Sequence, residues 1–374
     1  MKAVSVFPGR RELRLVDCQE PRIETPTQVK VRMLDVGICG TDREICAFQY
    51  GTPPPGSDHL VIGHESLGQV IDVGSGVSRI KMGELVALRV RRPCMHPNCV
   101  TCRTGRQDFC YTGDFKERGI KEIHGFMTEF VVDEEPYMSR VPRELREVGV
   151  LVEPLAIAEK ALLQVWEVQQ RLPWACPPAP GKKPAHCHRA VVLGAGPVGL
   201  LGTMLFLENG FETFVYSRGP VTSQKALFVE SVGAHYLCSE TEPVEHLAER
   251  IGNIDLIYEA TGASQISFEL LEELGTNGVF VFTGVPGRKA PIKIDADLIM
   301  RNLVLKNQMI FGTVNAGLRA FEAAIRDLGI FMKRWPGAVR SLITGRFPID
   351  AFRELLLGRL EGIKNVIVFD RETS

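Results

Sequence analysis

Residues 189–210, RAVVLGAGPVGLLGTMLFLENG, constrain the fold more than any other part of the chain. An apolar run typical of a buried strand leads through three glycines into a helical apolar pattern. The first glycine permits a sharp turn, the second leaves room for a pyrophosphate, and the third allows close helix–strand packing. Because a helix N-terminus attracts anions, this segment predicts a dinucleotide-binding turn. The predicted cofactor contacts there are Gly194, Gly196, Pro197, Val198 and Gly199.

The residues that follow alternate between predicted strands and helices. Strands are predicted at 212–218, 235–238, 254–262 and 278–285, and helices at 224–232 and 266–274. A further strand leading into a loop is predicted within 302–317. Alternation of this kind is typical of a parallel, doubly wound Rossmann sheet, so the predicted fold class is α/β.

The end of the second predicted strand bears on the choice of cofactor. Dinucleotide-binding domains commonly place an acidic residue there for the ribose hydroxyls. This chain has Ser217 and Arg218 instead. A hydroxyl and a guanidinium suit a 2′-phosphate, which a carboxylate would repel. The pattern therefore favours NADP over NAD, with a solvated loop arginine as the alternative interpretation of Arg218.

Charge, hydropathy and cysteine content exclude several classes of protein. Lys and Arg number 44 against 45 Asp and Glu, a net charge of −1. No basic run is long enough for a nucleic-acid footprint, and no apolar run is long enough to span a membrane. Without a signal peptide, a cytoplasmic location is expected. The ten cysteines are therefore interpreted as thiols and metal ligands rather than a disulfide framework.

The first 90 residues read as short strands separated by turns, and they carry Cys39 in GICGTD and His64 in VIGHES. Thiolate and imidazole are preferred zinc donors. No obvious third and fourth cysteine accompanies the pair, which indicates a catalytic site with an open coordination position. Taken singly, each residue could instead be a buried thiol or a core histidine.

Two carboxylates are candidates for the third ligand of this zinc site. Glu153, in LVEPLAIAEK, is the preferred ligand, and Glu65 is an exchanging or outer carboxylate. Asp42 would orient the imidazole ring. Thr41 would lie near the open position as a hydroxyl relay for the proton.

A second cluster lies in RRPCMHPNCVTCRTGRQDFC. Its thiols occur among polar and turn residues, so they are not explained as core, and the spacing predicts a closed structural zinc site. His96 competes with Cys94 for the first ligand position. The predicted ligands are Cys94, Cys99, Cys102 and Cys110. A later proline-rich loop carries Cys176, His186, Cys187 and His188, whose irregular spacing argues against another metal site.

In order and separation, GICGTD, GHE, the cysteine lobe, EPLAIAEK and GAGPVG resemble the zinc-dependent medium-chain alcohol and polyol dehydrogenases. Within them, TGDFKERGI, HGFMTEF and FGTVNAG are most similar to the archaeal-type glucose dehydrogenases. The resemblance spans essentially the whole chain. It implies a GroES-like β-rich catalytic domain at 1–186 and 312–374, a Rossmann domain at 187–311, and a cleft between them. It also implies two zinc ions per chain, NADP or dual cofactor use, and a homodimer or homotetramer.

Carried over by position, the resemblance assigns roles to individual residues. Cys39, His64 and Glu153 would bind the catalytic zinc, with Glu65 as an alternative. The implied sugar contacts are Thr41, Asp114, Glu153 and Asn315, and the implied further cofactor contacts are Asn315 and Lys364. Two departures are extra residues between Cys94 and Cys99, and Arg89 and Val90 where the family has an asparagine.

The expected reaction is oxidation of an aldose, D-glucose above all, to its lactone, with hydride transfer to NADP or NAD. A zinc ion would act there as a Lewis acid. The alternatives are a polyol (sorbitol-type) or threonine-type alcohol dehydrogenase with the same zinc site, or a catalytically silent scaffold. Retention of Cys39, His64 and Glu153 argues against a scaffold, which needs no open metal site.

Overall fold

The computed structural model describes residues 1–287, 291–359 and 361–369. Its strands are β1 (Lys2–Phe7), β2 (Glu12–Asp17), β3 (Gln28–Gly37), β4 (Leu60–Val61), β5 (Glu65–Val73), β6 (Leu85–Leu88), β7 (Arg91–Arg92), β8 (Lys116–Arg118), β9 (Glu122–Ile123), β10 (Phe130–Glu134), β11 (Met138–Val141), β12 (Arg189–Leu193), β13 (Glu212–Ser217), β14 (His235–Cys238), β15 (Leu256–Glu259), β16 (Val279–Phe282), β17 (Met309–Gly312), β18 (Ile343–Pro348) and β19 (Lys364–Val368).

Its α-helices are α1 (Gly40–Cys46), α2 (Val100–Arg103), α3 (Val152–Val168), α4 (Pro197–Asn209), α5 (Gln224–Val232), α6 (Leu247–Ile251), α7 (Ser264–Glu272), α8 (Ala296–Leu305), α9 (Leu318–Arg334), α10 (Pro336–Leu342) and α11 (Phe352–Leu357). The chain divides into two compact units. The first comprises Met1–Ala156 and Asn315–Ser374, and the second Ile157–Val314.

The first unit is built around a mixed sheet in the order β11-β6-β5-β3-β19-β18, with β10 also paired to β3. Alternate residues of β3, such as Val29, Val31 and Met33, are fully buried, as expected for a strand with one face on the core. The C-terminal strand β19 pairs antiparallel with β3 and brings Val366 opposite Gly37. Residues from the far end of the chain therefore lie beside the loop that follows β3.

The second unit contains a parallel six-stranded sheet in the order β14-β13-β12-β15-β16-β17. Parallel sheets are covered on both faces, which explains why most residues of β12 and β15 are buried. The predicted α/β Rossmann architecture is confirmed, and β12, the glycine turn and α4 fall where the sequence predicted them.

The glycine turn has the predicted geometry. Gly194 has φ +105°, in the left-handed region that favours glycine. A Cβ on Gly199 would lie 2.0 Å from the carbonyl oxygen of Gly194, so only glycine permits this packing. A Cβ on Gly196 would meet nothing within 4 Å, and this open space is where a pyrophosphate would approach.

The unit boundaries differ from the predicted 186/187 and 311/312. Residues 157–186 cluster with the second unit because the segment after α3 packs on that unit. Trp174 stacks on His188 with ring centroids 4.4 Å apart, and Gln169 donates a hydrogen bond to the carbonyl of Asn277. The predicted strand within 302–317 also needs correction. Residues 302–305 end α8, and only Met309–Gly312 forms the strand.

The interpretation of the cysteines as thiols and metal ligands does not hold for Cys176 and Cys187, which form a disulfide. The proline-rich loop folds back on itself, and the N–H of Cys176 donates to the carbonyl of Pro184 at 2.9 Å. His188 is adjacent, but its Nε2 lies 2.5 Å from the carbonyl of Trp174 and its Nδ1 3.3 Å from Asp255. Both ring nitrogens of His188 therefore have partners, and both thiols are used in the disulfide.

Candidate active site

The loop after β3 and the start of β5 bring together a thiol, an imidazole and a carboxylate. The ligand atoms of Cys39, His64 and Glu65 all lie within 4.8 Å of one another. His64 and Glu65 are 5% and 1% exposed, whereas Cys39 is half-buried. Sulfur, nitrogen and oxygen donors of these types form the set that zinc prefers. The cluster therefore fits a zinc ion with one accessible side.

Asp42 organises this cluster, as predicted. It is fully buried, and its Oδ2 accepts a hydrogen bond from the N–H of Cys39 at 2.9 Å. Its Oδ1 accepts from the N–H of Gly63 at 3.2 Å and lies 3.2 Å from Nδ1 of His64. One carboxylate thus holds both donor loops and leaves Nε2 of the imidazole as the nitrogen for a metal.

Glu65 has a partner that sequence reasoning missed. The ammonium of Lys364 contacts Oε2 of Glu65, and both side chains are 2% exposed. Lys364 also donates to the carbonyl of Ile38 at 3.0 Å. The ammonium of Lys364 is thus buried against a carboxylate, and its contact with a cofactor phosphate stays a prediction. The pairing of β19 with β3 produces this contact.

Glycine at position 37 makes room for the Glu65 carboxylate. A Cβ there would lie 2.1 Å from Oε2 of Glu65. No motif in the sequence indicated this contact, because Gly37 and Glu65 face each other only through the pairing of β3 with β5. Any side chain at position 37 would therefore occupy the space that now holds the Glu65 carboxylate.

Glu153, the preferred third ligand, lies at the start of α3 and is 6% exposed. Burial raises the pKa of Glu153 to about 7, with His64 opposing and Glu65 adding to the effect. These couplings place Glu153 near the cluster, although its carboxylate is not among the ligand atoms within 4.8 Å. Among the described side chains, Glu65 thus lies closer to Cys39 and His64 than Glu153 does.

The charges of the site favour a bound cation. Burial lowers the pKa of His64, but the charges of Asp42 and Cys39 outweigh that effect and raise it well above the usual value. The same negative charges would attract a metal cation, and a metal-bound imidazole must be deprotonated. The acidic set Cys39, Asp42, Glu65 and Glu153 thus suits a divalent ion.

The cysteine lobe forms a separate cluster. The four thiols lie within 4.8 Å of one another, with sulfur–sulfur distances of 3.7 Å for Cys94–Cys102 and 3.9 Å for Cys99–Cys110. A hydrogen bond with the Thr101 hydroxyl lowers the pKa of Cys99 to about 6. The competing ligand His96 is instead exposed and contacts Asp114. The structure therefore groups all four predicted cysteines and leaves His96 out.

The residues expected to contact sugar or cofactor are distributed around the first unit. Asn315 has φ +60°, and its amide donates to Glu117 at 3.1 Å. Glu117 also accepts from Arg91, so Asn315 has a fixed orientation. Thr41 lies half-buried in the first turn of α1, and Asp114 is exposed on the cysteine lobe.

On the second unit, the predicted cofactor residues lie at the carboxyl ends of β12 and β13. Gly196, Pro197 and Val198 are half-buried at the start of α4. Ser217 accepts a hydrogen bond from the N–H of Ala195 at 3.2 Å, which links it to the glycine turn. Arg218 is exposed. Its guanidinium is therefore accessible to a phosphate group that approaches from solvent.

Comparison with known proteins adds to this geometry. Residues 25–143 match the model of the alcohol dehydrogenase GroES-like domain, and residues 146–369 match that of the glucose dehydrogenase C-terminus. Glucose 1-dehydrogenase of Methanocella arvoryzae is 37% identical over 98% of this chain and 99% of its own length. That of Thermoproteus tenax is 38% identical with the same coverage.

Solved structures agree. The glucose dehydrogenase of Haloferax mediterranei in complex with NADP, Zn and gluconolactone is 32% identical, with a TM-score of 0.88 over 99% of this chain and 100% of that one. In the described part of the chain, no helix is both long and apolar enough to cross a bilayer. The chain therefore belongs to the archaeal-type glucose dehydrogenase family of zinc-dependent medium-chain dehydrogenases.

Proposed function

We propose that this protein oxidises the C1 hydroxyl of an aldose, with D-glucose as the favoured substrate, to the lactone with NADP as hydride acceptor. The observation that carries the proposal is the cluster of Cys39, His64 and Glu65 on a GroES-like unit, in a chain that also has a dinucleotide-binding turn. The Haloferax relative, which binds NADP, Zn and gluconolactone, supports the same reaction.

Each residue of the site would have its own role in this reaction. When bound, zinc supplies Lewis acidity at the substrate oxygen, and NADP accepts the hydride. Cys39, His64 and either Glu153 or Glu65 would hold the metal. Asp42 keeps the imidazole oriented, since it contacts Nδ1 and both donor loops. Thr41, half-buried in the first turn of α1, would pass the hydroxyl proton towards solvent.

The contact between Glu65 and Lys364 favours Glu153 as the permanent ligand. A carboxylate neutralised by a buried ammonium is a weaker metal donor than a free one. Glu65 is paired in this way with Lys364. Burial raises the pKa of Glu153, although the charges of His64 and Lys364 act to lower it, and a bound zinc ion would stabilise its ionised form. Glu65 could join the ligand set only by giving up its contact with Lys364.

The second unit would bind NADP through its glycine turn. Gly194, Gly196, Pro197, Val198 and Gly199 form the turn for the pyrophosphate, and Ser217 and Arg218 would contact the 2′-phosphate. The described end of β13 carries no acidic residue that would repel this phosphate. Asn315 remains a predicted contact of both the sugar and the cofactor, and Asp114 remains a predicted contact of the sugar. Cys94, Cys99, Cys102 and Cys110 would bind the second, structural zinc.

A substrate panel tests the proposed reaction. Initial rates with D-glucose, other aldoses, sorbitol and threonine are compared, each with NADP and with NAD. We expect D-glucose with NADP to give the highest kcat/KM. A higher kcat/KM for sorbitol or threonine would show a polyol or amino-alcohol dehydrogenase instead. No turnover of any substrate, by protein that holds only one zinc ion per chain, would favour the silent scaffold.

Metal analysis tests the assignment of the two zinc sites. Wild-type protein is expected to hold two zinc ions per chain. Cys39→Ser should lose one zinc and all turnover but keep NADP affinity, while Cys102→Ser should lose the other zinc and stability. Cys18→Ser, at a free cysteine outside both clusters, is the matched control and should keep both ions. Loss of NADP binding with both zinc ions retained in Cys39→Ser would contradict these roles.

The predicted assembly into a dimer or tetramer has support in the second unit. Strand β17 lies at an edge of the sheet, and α8 exposes Met300 (64%), Val304 (74%) and Leu305 (64%). Edge strands and exposed apolar side chains are both common features of subunit interfaces. Light scattering should show at least a dimer, and Val304→Glu should shift it towards monomer.

The cytoplasmic location remains a prediction.

A further inference from the structure

At the end of β13, three successive backbone carbonyls lie within hydrogen-bond distance of one tyrosine hydroxyl. Tyr236, on the neighbouring strand β14, is 6% exposed. Its hydroxyl oxygen lies 2.9 Å from the carbonyl oxygen of Arg218, 3.1 Å from that of Gly219 and 3.3 Å from that of Ser217. A hydroxyl has a single proton to donate. Three successive carbonyl dipoles therefore converge on one donor, which offsets their mutual repulsion.

This convergence determines where the N–H groups of the loop point. In a trans peptide the C=O and N–H are antiparallel, so the N–H groups of Arg218 and Gly219 point away from Tyr236. Neither N–H donates a hydrogen bond within the described residues. Gly219 has φ +100°, a left-handed conformation that lets the chain turn here. Successive outward N–H groups of this kind make an anion-binding concavity.

The same loop carries the two side chains proposed to contact the 2′-phosphate of NADP. Ser217 is tied to the glycine turn through the N–H of Ala195, and the Arg218 side chain is exposed. A hydroxyl, a guanidinium and two free N–H groups are therefore presented together. All four are donors to a phosphate dianion, whereas the ribose hydroxyl of NAD would use only part of this set.

We propose that Tyr236 is a positioning residue for cofactor selection, whose hydroxyl holds residues 217–219 in the conformation that offers their donors to the 2′-phosphate of NADP. The inference rests on the proposed roles of Ser217 and Arg218. It adds a residue that touches neither the phosphate nor the substrate. Its effect should depend mainly on the phosphate, because Tyr236 contacts the backbone carbonyls of residues 217–219, whereas the link to the pyrophosphate turn is made by the Ser217 side chain and the N–H of Ala195.

The test is Tyr236→Phe, which removes the hydroxyl and keeps the ring. The dissociation constants for NADP and NAD are measured by fluorescence titration. Loss of one hydrogen bond and relaxation of the loop should weaken NADP binding about five- to tenfold and NAD binding by less than about twofold. Equal weakening of both cofactors would indicate a merely structural role and overturn the proposal, as would unchanged NADP binding.

Tyr216→Phe is the matched control, because its hydroxyl also donates to a carbonyl, that of Glu242 at 2.8 Å, away from the loop. It should leave the ratio of the two dissociation constants unchanged. In an Arg218→Ala background, Tyr236→Phe should have a smaller effect on NADP than in wild type, since the two act on one ligand group. If Tyr236→Phe weakens NADP binding as much in the Arg218→Ala background as in wild type, the two residues act independently and the proposed coupling is refuted.

These variants also separate the inference from the proposed function. If Arg218→Ala leaves the preference for NADP unchanged, the proposed role of Arg218 fails, and the inference fails with it. If Arg218→Ala reduces the preference but Tyr236→Phe does not, only the role of Tyr236 is refuted. Circular dichroism and thermal unfolding of each variant establish that the binding data come from folded protein.

Discussion

Replacement of Lys364 by methionine should destabilise the zinc-free protein severely. Both partners of the Lys364–Glu65 pair are 2% exposed, so the substitution leaves a carboxylate buried without its cation. Removing one partner of a buried pair typically costs about 3–5 kcal/mol. Methionine keeps most of the volume, so the cost arises from the unpaired charge and from the lost bond to the Ile38 carbonyl, not from a cavity.

The assay is urea unfolding of wild type, Lys364→Met, Glu65→Gln and the double variant, all freed of metal with a chelator. The double-mutant cycle isolates the coupling between the two side chains. Lys2→Met is the matched control, because the Lys2–Asp350 pair is 47% and 55% exposed. An exposed pair contributes at most about 1 kcal/mol. Zinc should restore part of the stability of Lys364→Met by neutralising Glu65.

A coupling energy below about 1 kcal/mol, or a Lys364→Met variant no less stable than Lys2→Met, would refute this account of the site. Such a result would mean that Glu65 has another source of charge compensation in the folded protein. An increase in KM for NADP alone, with unchanged stability, would instead support the contact with a cofactor phosphate that the family resemblance implies.

Further predictions concern a glycine, a histidine and the disulfide. Gly37→Ala should displace the Glu65 carboxylate and lower zinc retention on dialysis, while Gly40→Ala, whose Cβ meets nothing within 4 Å, should not. Burial lowers the pKa of His124 to about 4, below its unfolded value of about 6.5. The unfolded chain therefore takes up a proton first, and stability falls as pH drops from about 6.5 to 4. Between these pH values, the free energy of unfolding should change less with pH in His124→Gln than in an exposed control, His246→Gln. Cys176→Ser should lower stability by about 2–3 kcal/mol without reductant and equal wild type with it, as thermal unfolding would show. No difference without reductant would contradict the disulfide.

Features encoded within a few residues were predictable. The glycine turn is local, because the strand, turn and helix follow one another without a gap, and its φ values and close packing match the prediction. The four-cysteine cluster was predictable for the same reason. The apolar run at 302–305 was misinterpreted because a short apolar stretch fits a helix end as well as a buried strand.

Features that depend on pairing between distant segments were not predictable. Lys364 reaches Glu65 only through the register of β19 on β3, which no spacing in the sequence reveals. The disulfide of Cys176 depends on a proline-rich loop that folds back, and Tyr236 depends on the register of β14 against β13. Sheet pairing sets the neighbours of Lys364 and Tyr236, and the path of a loop sets those of Cys176, so sequence distance indicates none of these contacts.

The position of β19 has a consequence for the order in which the protein can mature. Cys39, His64, Glu65 and Glu153 leave the ribosome long before Lys364, which belongs to a strand near the end of the chain. Until that strand is added beside β3, a nascent chain holds its acidic cluster without the ammonium that offsets it. Metal loading and activity should therefore be late events, and chains cut short before β19 should accumulate no working enzyme.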